Sequence, residues 1–368
     1  MMSIYKIMKI AFIGQKGIPT RNGGVERYVE SLAVNLAASG QEVLVYNRRG
    51  YLSSPLKEFR GVRIISLPYI NNKNLANITH TFLACWDVLK RKVDVIHFQG
   101  VGPALLCWLP KLLAPRIKII GTLHSFDYYN DKWSPFAKFM LKAGEKSMCR
   151  WADEIIVLTE ATQAYVQKAY GRTALVIPNG ADLYTKTGDA QITPWELKRD
   201  EYILSVCRLI KLKGLQYLIT AFKNTKTNKK LVIVGEGEYS AELKRIAAGD
   251  ERIIFTGNQT GETLDQLYAN TYLFVQASEM EGLSIALLEA MAHKSACLVS
   301  DIEGNREAIG NTGVIFSTKN IQDLQTKLEN LLANPALVAK NAAAAYERAK
   351  EKFSWQDVTR QVLTAYNK

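Results

Sequence analysis

The sequence is poor in cysteine, and its cysteines form no pairing or metal-binding pattern. Five cysteines are scattered through 368 residues, with no C-x-x-C pair and no Cys/His cluster of the spacing that binds zinc. This pattern is typical of reduced thiols in a cytoplasmic protein. The five residues are Cys85, Cys107, Cys149, Cys207 and Cys297.

The sequence also lacks a hydrophobic run long enough to cross a bilayer. Its longest apolar stretch, 104–120, is interrupted by prolines and basic residues, whereas a spanning helix needs about 20 mostly apolar residues. The first residues run directly into a strand pattern, without the charged, apolar and small-residue segments of a secretory leader. We therefore expect a cytoplasmic protein without a transmembrane helix.

Two familiar phosphate-binding fingerprints are absent from the first glycine-rich turn. This turn follows a strand pattern at Lys9–Ile13 and contains Gly14, Gly17, Gly23 and Gly24 before a helix pattern begins. It matches neither the dinucleotide fingerprint G-x-G-x-x-G nor the P-loop pattern G-x-x-x-x-G-K-[ST]. A nicotinamide dehydrogenase is therefore disfavoured. Glycines before a helix N-terminus can still meet a phosphate or a sugar hydroxyl, and an ordinary long turn is the alternative.

Positive charge is concentrated in the first half of the chain. The net charge is +12, and residues 1–180 carry 24 Lys and Arg against 12 Asp and Glu, whereas the remainder carries 23 against 23. A basic first half suggests attraction to an anionic surface or acceptor, such as phospholipid headgroups or a lipid pyrophosphate. Nucleic acid is the competing partner, but no DNA- or RNA-binding motif supports it.

The length and periodicity of the chain predict two α/β domains. A chain of 368 residues exceeds what one hydrophobic core usually supports. Short β-branched runs alternate with helical patterns, which predicts βαβ units and parallel sheets. The segment 180–200 lacks regular periodicity and is interpreted as the domain connection. The predicted strands are 9–13, 42–46, 63–67, 93–98, 118–122, 154–158, 175–177, 202–206, 230–234, 253–255, 273–276, 296–300 and 313–316.

The most specific stretch is 278–292, where Glu281 and Glu289 lie eight residues apart. Glu281 falls in a glycine-containing turn after a predicted strand, and Glu289 falls in the second turn of the following helix. Free N–H groups at a helix start attract anionic or hydroxyl-rich ligands, and carboxylates accept hydrogen bonds from sugar hydroxyls. The alternative is that both glutamates complement the helix dipole on a solvated surface.

This stretch resembles the Glu-x7-Glu motif of the large retaining glycosyltransferase family, of family 4 type, that includes bacterial mannosyltransferases and sucrose-type synthases. The resemblance extends to Arg208 and Lys213, which look like the phosphate-binding pair of that family, to an inter-domain signature at 177–182, and to a base-binding turn at 255–257. It implies a GT-B fold, with two Rossmann-like, doubly wound parallel-sheet domains facing a central cleft. The implied domains are 1–184, on the acceptor side, and 185–352, on the donor side, with a C-terminal helix at about 353–368 packing back on the first.

The resemblance also implies roles for individual residues. Arg208 and Lys213 would bind the donor diphosphate, Glu281 and the backbone of 282–284 would hold the transferred sugar, and Glu289 would hold the ribose. The implied catalytic set is Glu281, His124, Arg208 and Lys213. The implied donor-binding set is Gly23, Gly24, Arg208, Lys213, Gly257, Glu281, Gly282, Leu283, Ser284 and Glu289.

Two histidines follow predicted strands of the first domain. His124 matches the histidine that lies near the sugar and acceptor in the family, where it can hydrogen-bond the donor sugar in either charge state. The sequence does not decide whether His97 lines the cleft or lies in the core with its ring nitrogens hydrogen-bonded. No Asp-x-Asp follows a strand, so no essential metal and no cofactor are predicted, with Arg208 and Lys213 supplying the positive charge.

The resemblance implies a retaining hexosyltransferase that uses a nucleotide-sugar donor, with a UDP-sugar favoured and a GDP-sugar next. The expected acceptor is a glycan or lipid-linked acceptor in cell-surface polysaccharide synthesis. Two alternatives remain open, a GT-B-fold sugar-nucleotide epimerase and a non-catalytic glycan-binding scaffold.

The segment 128–151 combines aromatic and basic residues in an amphipathic helical pattern. Such a helix can lie in a membrane interface, or it can be an ordinary domain helix with a solvated cationic face. Peripheral attachment to the inner face of an anionic membrane is therefore an open expectation.

Overall fold

The computed structural model describes residues 6–21, 23–72, 75–126, 128, 133–184 and 188–368. The chain divides into two compact units. The first unit comprises Met1–Pro178 and Trp355–Lys368, and the second unit comprises Asn179–Ser354. The sequence predicts the first division after residue 184 rather than after Pro178, and it predicts the return to the first domain at about residue 353 rather than at Trp355.

In the described part of the first unit, eight strands form one sheet in the order β3-β4-β2-β1-β5-β6-β7-β8. Neighbouring strands are parallel except for the short pair β3 and β4. The strands are β1 Lys9–Ile13, β2 Glu42–Arg48, β3 Glu58–Phe59, β4 Val62–Leu67, β5 Val95–Gln99, β6 Lys118–Leu123, β7 Glu154–Val157 and β8 Leu175–Val176.

The helices of the first unit begin and end at residues with clear local reasons. Ser134 and Thr159 accept hydrogen bonds from backbone N–H groups three residues later, as N-cap residues do. Gly171 ends a helix in the left-handed conformation with φ 64°. The helices are α1 Gly24–Ala38, α2 Ala76–Leu89, α3 Val101–Ala104, α4 Trp108–Leu113, α5 Pro135–Trp151, α6 Glu160–Tyr170 and, from the chain end, α14 Trp355–Asn367.

The second unit is built around a parallel sheet of six described strands in the order β11-β10-β9-β12-β13-β14. Its strands are β9 Tyr202–Val206, β10 Lys230–Val234, β11 Ile253–Gly257, β12 Leu273–Gln276, β13 Cys297–Ser300 and β14 Val314–Phe316. Its helices are α7 Leu215–Asn224, α8 Ser240–Ala247, α9 Gly261–Ala269, α10 Ile285–Ala292, α11 Glu303–Ile309, α12 Ile321–Ala333 and α13 Pro335–Lys352.

The central strands of both sheets are mostly apolar and almost entirely buried because helices cover both faces. In β12, for example, all four residues are buried, which is the pattern of a parallel sheet inside an α/β unit. The strand order of the second unit reverses between β9 and β12, which pair directly. Ligands of such folds bind at the carboxyl ends of the strands at this reversal, and the loops after β9 and β12 carry the predicted phosphate and sugar residues.

The strands predicted from sequence recur in the structure with shifts of one or two residues at their ends, and β3 is an addition. Among the described residues, no helix combines the length and apolarity needed to cross a bilayer. Of the amphipathic segment 128–151, residues 129–132 lie outside the described residues, and α5 forms the rest from Pro135 onward.

Candidate functional site

The loops that follow β9 and β12 lie against each other. After β9 the chain makes a 3-10 turn at Lys211–Lys213 and then reaches Gly214, whose φ is 67°. A β-carbon at Gly214 would lie 1.9 Å from the carbonyl oxygen of Ala277, so only glycine permits this approach. The backbone N–H of Glu279 donates to the carbonyl of Leu212 at 2.8 Å, which joins the two loops directly.

Lys213 and Glu281 form an ion pair across these loops. The Ser278 hydroxyl donates to the same carboxylate oxygen, Glu281 Oε1, at 2.9 Å. The Lys213 and Glu281 side chains are only 20% and 15% exposed. Burial lowers the pKa of Lys213, but the Glu281 carboxylate outweighs it and holds that pKa above the ordinary lysine value. The lysine is therefore charged at neutral pH.

Arg208 brings a second cation to this edge of the sheet. It lies two residues after β9, with 56% of its side chain exposed, and its guanidinium reaches Glu238 at the long distance of 3.9 Å. It is close enough to Lys213 to lower the pKa of that lysine. The structure thus brings Arg208, Lys213 and Glu281 together at one edge of the sheet, and their roles as a diphosphate-binding pair and a sugar-binding carboxylate stay predictions.

The N-terminus of α10 lies three residues after Glu281, at the N-cap residue Ser284. The Ser284 hydroxyl accepts from the Leu287 N–H at 3.4 Å. The Leu283 carbonyl accepts from the Asn179 side chain at 2.6 Å. Gly282, Leu283 and Ser284 are therefore held in a fixed turn at the positive end of a helix dipole.

Glu289 and Gly257 lie on other parts of the second unit. Glu289 is a half-buried residue in α10, and Tyr268 donates from its hydroxyl to Glu289 Oε2 at 3.3 Å. Gly257 ends β11 with φ 70°, and its carbonyl accepts from the Gly235 N–H at 2.8 Å. Both residues stay candidate ribose and base contacts.

A buried polar network that sequence reasoning missed supports the Glu281 loop. Gln276 accepts from the Ser284 hydroxyl at 2.7 Å and donates to Asn305 at 2.6 Å. Asn305, with no exposed surface, donates to the Ser300 hydroxyl at 3.0 Å, and Ser300 donates to the Ser278 carbonyl at 2.6 Å. Every member lies on or beside the loop that carries Glu281, so the network fixes where that carboxylate points.

Two further contacts brace this loop from outside. Glu279 accepts from the Tyr217 hydroxyl at 3.0 Å and pairs with Lys319 at 2.8 Å. A β-carbon at Gly304, in the first turn of α11, would lie 1.8 Å from the Gly282 carbonyl oxygen. The lack of a side chain at Gly304 therefore lets α11 pack directly onto the predicted sugar-binding turn.

In the first unit, the glycine-rich turn is held by side chains that neighbour it. Glu26 is buried and accepts from the Lys16 N–H at 3.0 Å, and a β-carbon at Gly23 would lie 2.2 Å from that carboxylate. Asn47 exchanges two hydrogen bonds with the backbone of Ile18, at 3.0 and 2.7 Å. Gly24 is exposed at the start of α1. Glu26 thus has a structural role in the turn.

His124 lies directly after β6 and bonds to Gln99, a residue that sequence reasoning did not select. His124 Nε2 lies 2.8 Å from Gln99 Oε1, and the edge of the ring meets Tyr28 with 4.9 Å between centroids. Burial lowers the pKa of His124 to about 3. The imidazole is therefore neutral near pH 7, with Nε2 donating to Gln99 and Nδ1 left as the acceptor.

His97 is a core residue rather than a cleft-lining one. It has no exposed surface, and its two ring nitrogens lie 2.7 Å from the Tyr366 hydroxyl and 2.6 Å from Thr122 Oγ1. Burial lowers its pKa to about 3. The bond to Tyr366 attaches α14 to β5 within the first unit, which settles the alternative left open by the sequence.

Within the part of the chain that the structure describes, no group of three or more His, Cys, Asp and Glu side chains is placed to hold a metal ion. The five cysteines are unpaired thiols, four of them buried. Metal independence stays a prediction.

Two family models match the two halves of the chain. The model for glycosyltransferase family 4 matches residues 22–184, and the model for group 1 glycosyl transferases matches residues 190–352. Among curated relatives, phosphatidyl-myo-inositol mannosyltransferase of Mycolicibacterium smegmatis is 25% identical over 359 residues, which is 94% of this chain and 90% of that protein.

Solved structures with the same fold include glycosyltransferases. Sucrose-phosphate synthase from Thermosynechococcus elongatus superimposes with a TM-score of 0.85 at 23% identity, covering 98% of each chain. Anabaena HepE in complex with UDP-glucose gives a TM-score of 0.81 at 21% identity, covering 98% of this chain and 99% of that one. The fold is therefore GT-B, as the sequence predicts. With both halves matched, the chain belongs to the group 1, family 4 glycosyltransferases.

Proposed function

We propose that this glycosyltransferase moves a hexose from a nucleotide sugar to a glycan or lipid-linked acceptor in cell-surface polysaccharide synthesis, with retention of anomeric configuration and without a metal. A UDP-sugar is the favoured donor and a GDP-sugar the next. The observation that carries the proposal is the Lys213–Glu281 ion pair beside Arg208, at the strand-order reversal of the second unit.

The charges at this site suit a diphosphate leaving group. When the bond between the sugar C1 and the phosphate oxygen breaks, negative charge develops on the diphosphate, and fixed cations stabilise it. Lys213 has three N–H donors, so it can keep its bond to Glu281 while donating to a phosphate oxygen. Arg208 is exposed and adds a planar set of donors that matches phosphate geometry.

In the proposed step, the acceptor hydroxyl attacks the sugar C1 from the face that the diphosphate leaves. The new C–O bond forms on the same face as the broken one, which gives retention. The acceptor proton passes to the departing phosphate oxygen, so no separate base is required. A neutral His124, with its pKa lowered by burial, fits a hydrogen-bonding role toward the sugar better than a proton-accepting one.

The remaining predicted contacts follow the same geometry. Glu281 would accept hydrogen bonds from sugar hydroxyls, since Lys213 and Ser278 hold it through one oxygen, Oε1. The N–H groups of 282–284 would face the donor at the start of α10, and Glu289 would accept from the ribose. Gly257 would contact the base, and Gly23 and Gly24 would contact the donor from the first unit.

The comparisons bear on the donor and the acceptor through proteins of the same fold or family. HepE was solved with UDP-glucose, which supports a UDP-sugar donor. The mycobacterial relative is named for a phosphatidyl-myo-inositol acceptor, which supports a lipid-linked acceptor, as the basic first half of this chain does.

A thermal-shift screen against UDP, GDP, ADP, dTDP and their sugars, with magnesium or with EDTA, tests the donor assignment. A ligand that binds the native state raises the unfolding temperature. We expect one nucleotide series, first UDP, to stabilise the protein equally in both buffers. Stabilisation that requires magnesium would contradict metal independence, and stabilisation by no nucleotide would favour the glycan-binding scaffold.

Product analysis by NMR tests the reaction itself. With the stabilising nucleotide sugar and a panel of glycan and polyprenyl-diphosphate acceptors, we expect a glycoside with the anomeric configuration of the donor. An inverted product would contradict retention. An epimerised nucleotide sugar formed without acceptor would favour the epimerase alternative.

A further inference from the structure

Three neighbouring helices of the first unit expose large apolar side chains to solvent. Helix α4 packs against both α2 and α5. On α5, Phe136 is 73% exposed and Phe139 is 66% exposed. The neighbouring helices add Phe82 and Trp86 on α2 and Trp108 and Leu112 on α4, all of them exposed. A cluster of aromatic residues this exposed is uncommon on a protein that has no partner there.

An open apolar groove adjoins α2. It has a volume of about 530 Å³, and Pro68, Ile70, Ile78 and Phe82 are among its lining residues. The groove extends the apolar surface from α2 to the loop after β4. The apolar area is thus wider than the segment 128–151 that the sequence singles out.

The charged side chains that α5 exposes are cationic. Lys142, Lys146 and Arg150 are exposed, whereas the acidic residue of this helix, Glu145, is fully buried and accepts from the Tyr165 and Tyr170 hydroxyls. On the neighbouring helices the charges are paired, Asp87 of α2 with Arg91 and Lys111 of α4 with Asp153, so the three basic residues of α5 supply the excess. The exposed apolar residues therefore sit beside an excess of positive charge.

We propose that the face formed by α2, α4 and α5 is a docking surface for an anionic lipid bilayer. Aromatic rings insert readily at the level of the lipid headgroups, and lysines beside them contact anionic phosphates. Lysine is depleted from the contact surfaces between proteins, whereas it is common on helices that lie on membranes. The combination of phenylalanine, tryptophan and lysine on one face thus favours a bilayer over a protein partner.

This inference deepens the proposed function, because an enzyme bound to the bilayer by its first unit meets a lipid-linked acceptor where that acceptor lies. It rests on the proposed function only for that consequence. Docking itself depends on α2, α4 and α5 and can be measured without any sugar donor.

Flotation with vesicles tests the surface on the full chain. The vesicles are pure phosphatidylcholine or a phosphatidylcholine–phosphatidylglycerol mixture, at low and at high salt. Three variants separate the contributions: F136S/F139S on α5, W86Q/W108Q on α2 and α4, and K142Q/K146Q. The matched control is K350Q/K352Q, which removes the same charge from α13 of the second unit, where both lysines are exposed. Circular dichroism and thermal unfolding check that every variant is folded.

We expect the wild-type chain to float with anionic vesicles at low salt and to bind neutral vesicles much less. Each lysine removed from α5 should weaken binding about fivefold. Substitution of either aromatic pair should weaken it at least tenfold, and the control variant should bind like wild type. Absence of binding to anionic vesicles would overturn the proposal. So would a wild-type dimer in light scattering that F136S/F139S converts to monomer, because a second copy would then cover this face.

Donor turnover distinguishes this proposal from the proposed function. The aromatic variants should turn over a water-soluble acceptor at the wild-type rate, because none of the substituted side chains belongs to the proposed donor site. Turnover by a chain that binds no vesicles would remove the docking surface and leave the enzyme assignment. Vesicle binding without nucleotide binding would support the docking surface and contradict the enzyme assignment.

Discussion

The two units share a parallel-sheet fold but hold the loops at their strand ends by different means. In the second unit, ion pairs and hydrogen bonds between side chains fix these loops, with Lys213–Glu281 and Lys319–Glu279 as the charged examples. In the first unit, neutral histidines pack among aromatic rings, the partly buried His124 against Tyr28 and the fully buried His97 beside Tyr366. Ion pairs therefore hold the site loops of the second unit, whereas the contacts around the two histidines of the first unit are neutral.

This difference matches the division of work that we propose. A diphosphate needs fixed positive charge around it, and the second unit provides that charge together with a carboxylate that holds it in place. Neutral imidazoles and glycine backbone suit contacts to hydroxyl groups, and the first unit provides those.

The largest effect is expected for Lys213→Ala. Losing one fixed cation at the developing diphosphate charge should lower kcat by roughly 10²- to 10³-fold. The matched control is Lys211→Ala, which removes an exposed lysine from the same 3-10 turn and should leave kcat within about twofold. Steady-state kinetics on folded variants checks both, and equal rates for the two variants would remove Lys213 from the site.

Breaking the buried network should have the next largest effect. Asn305→Leu removes the acceptor of the Gln276 amide N–H and the donor to Ser300, and a buried polar group left unsatisfied costs about 1–3 kcal/mol. We expect a lower unfolding temperature and at least a tenfold lower kcat, since the loop with Glu281 loses its support. Asn305→Asp keeps the acceptor for Gln276, so its unfolding temperature and its kcat should lie between those of wild type and Asn305→Leu. Wild-type kcat in a destabilised Asn305→Leu protein would contradict a positioning role.

The two units should differ in their response to acid. Burial lowers the pKa of His80 to about 4 and of His97 and His124 to about 3, whereas the unfolded chain protonates histidine near pH 6.5. Below that pH the unfolded state binds more protons, so the first unit loses stability as pH falls from about 6.5 toward 3. At pH 5 each of these histidines should lower the free energy of unfolding of the first unit by up to about 2 kcal/mol.

The second unit should resist this pH range better. The pKa of Asp250 is held below its usual value by Arg252, and that of Asp301 by Thr318. Their contribution is lost only as pH falls below the ordinary aspartate value of about 4. Hydrogen exchange with mass spectrometry at pH 7 and pH 5, corrected for intrinsic rates, should show protection lost first in the first unit. Equal loss in both units would contradict the contrast.

The smallest effect is expected for Lys319→Ala. Its ion pair with Glu279 braces the site loop from outside, but 58% of the lysine side chain is exposed, and exposed pairs contribute little. We expect kcat/KM to fall by less than about threefold, while Tyr217 still holds Glu279. A drop as large as that of Lys213→Ala would show that the brace is part of the catalytic machinery.

Much of the fold could be predicted because strands buried on both faces appear in the sequence as short apolar runs. Strand β3 was missed because an antiparallel edge strand of two residues, Glu58–Phe59, carries no periodic signal. The loops that carry Lys213 and Glu281 could be placed after their strands for the same reason. The apolar faces of α2 and α4 were not predicted, because exposure depends on what packs around a helix.

The contacts that complete the site were beyond sequence reasoning. Gln276 and Asn305 lie 29 positions apart, and His97 and Tyr366 lie 269 apart. Neither pair belongs to a local motif, and only the folded sheet brings its members together. A polar residue at the end of a buried strand, such as Gln276, was the one available signal, because a buried amide requires partners.

The most direct test of the account is the thermal shift that a nucleotide produces in wild type, Lys213→Ala and His124→Asn. If the second unit binds the diphosphate, the shift by the nucleotide that stabilises wild type should disappear in Lys213→Ala and persist in His124→Asn. A shift that survives in Lys213→Ala, or one that is lost only in His124→Asn, would contradict it.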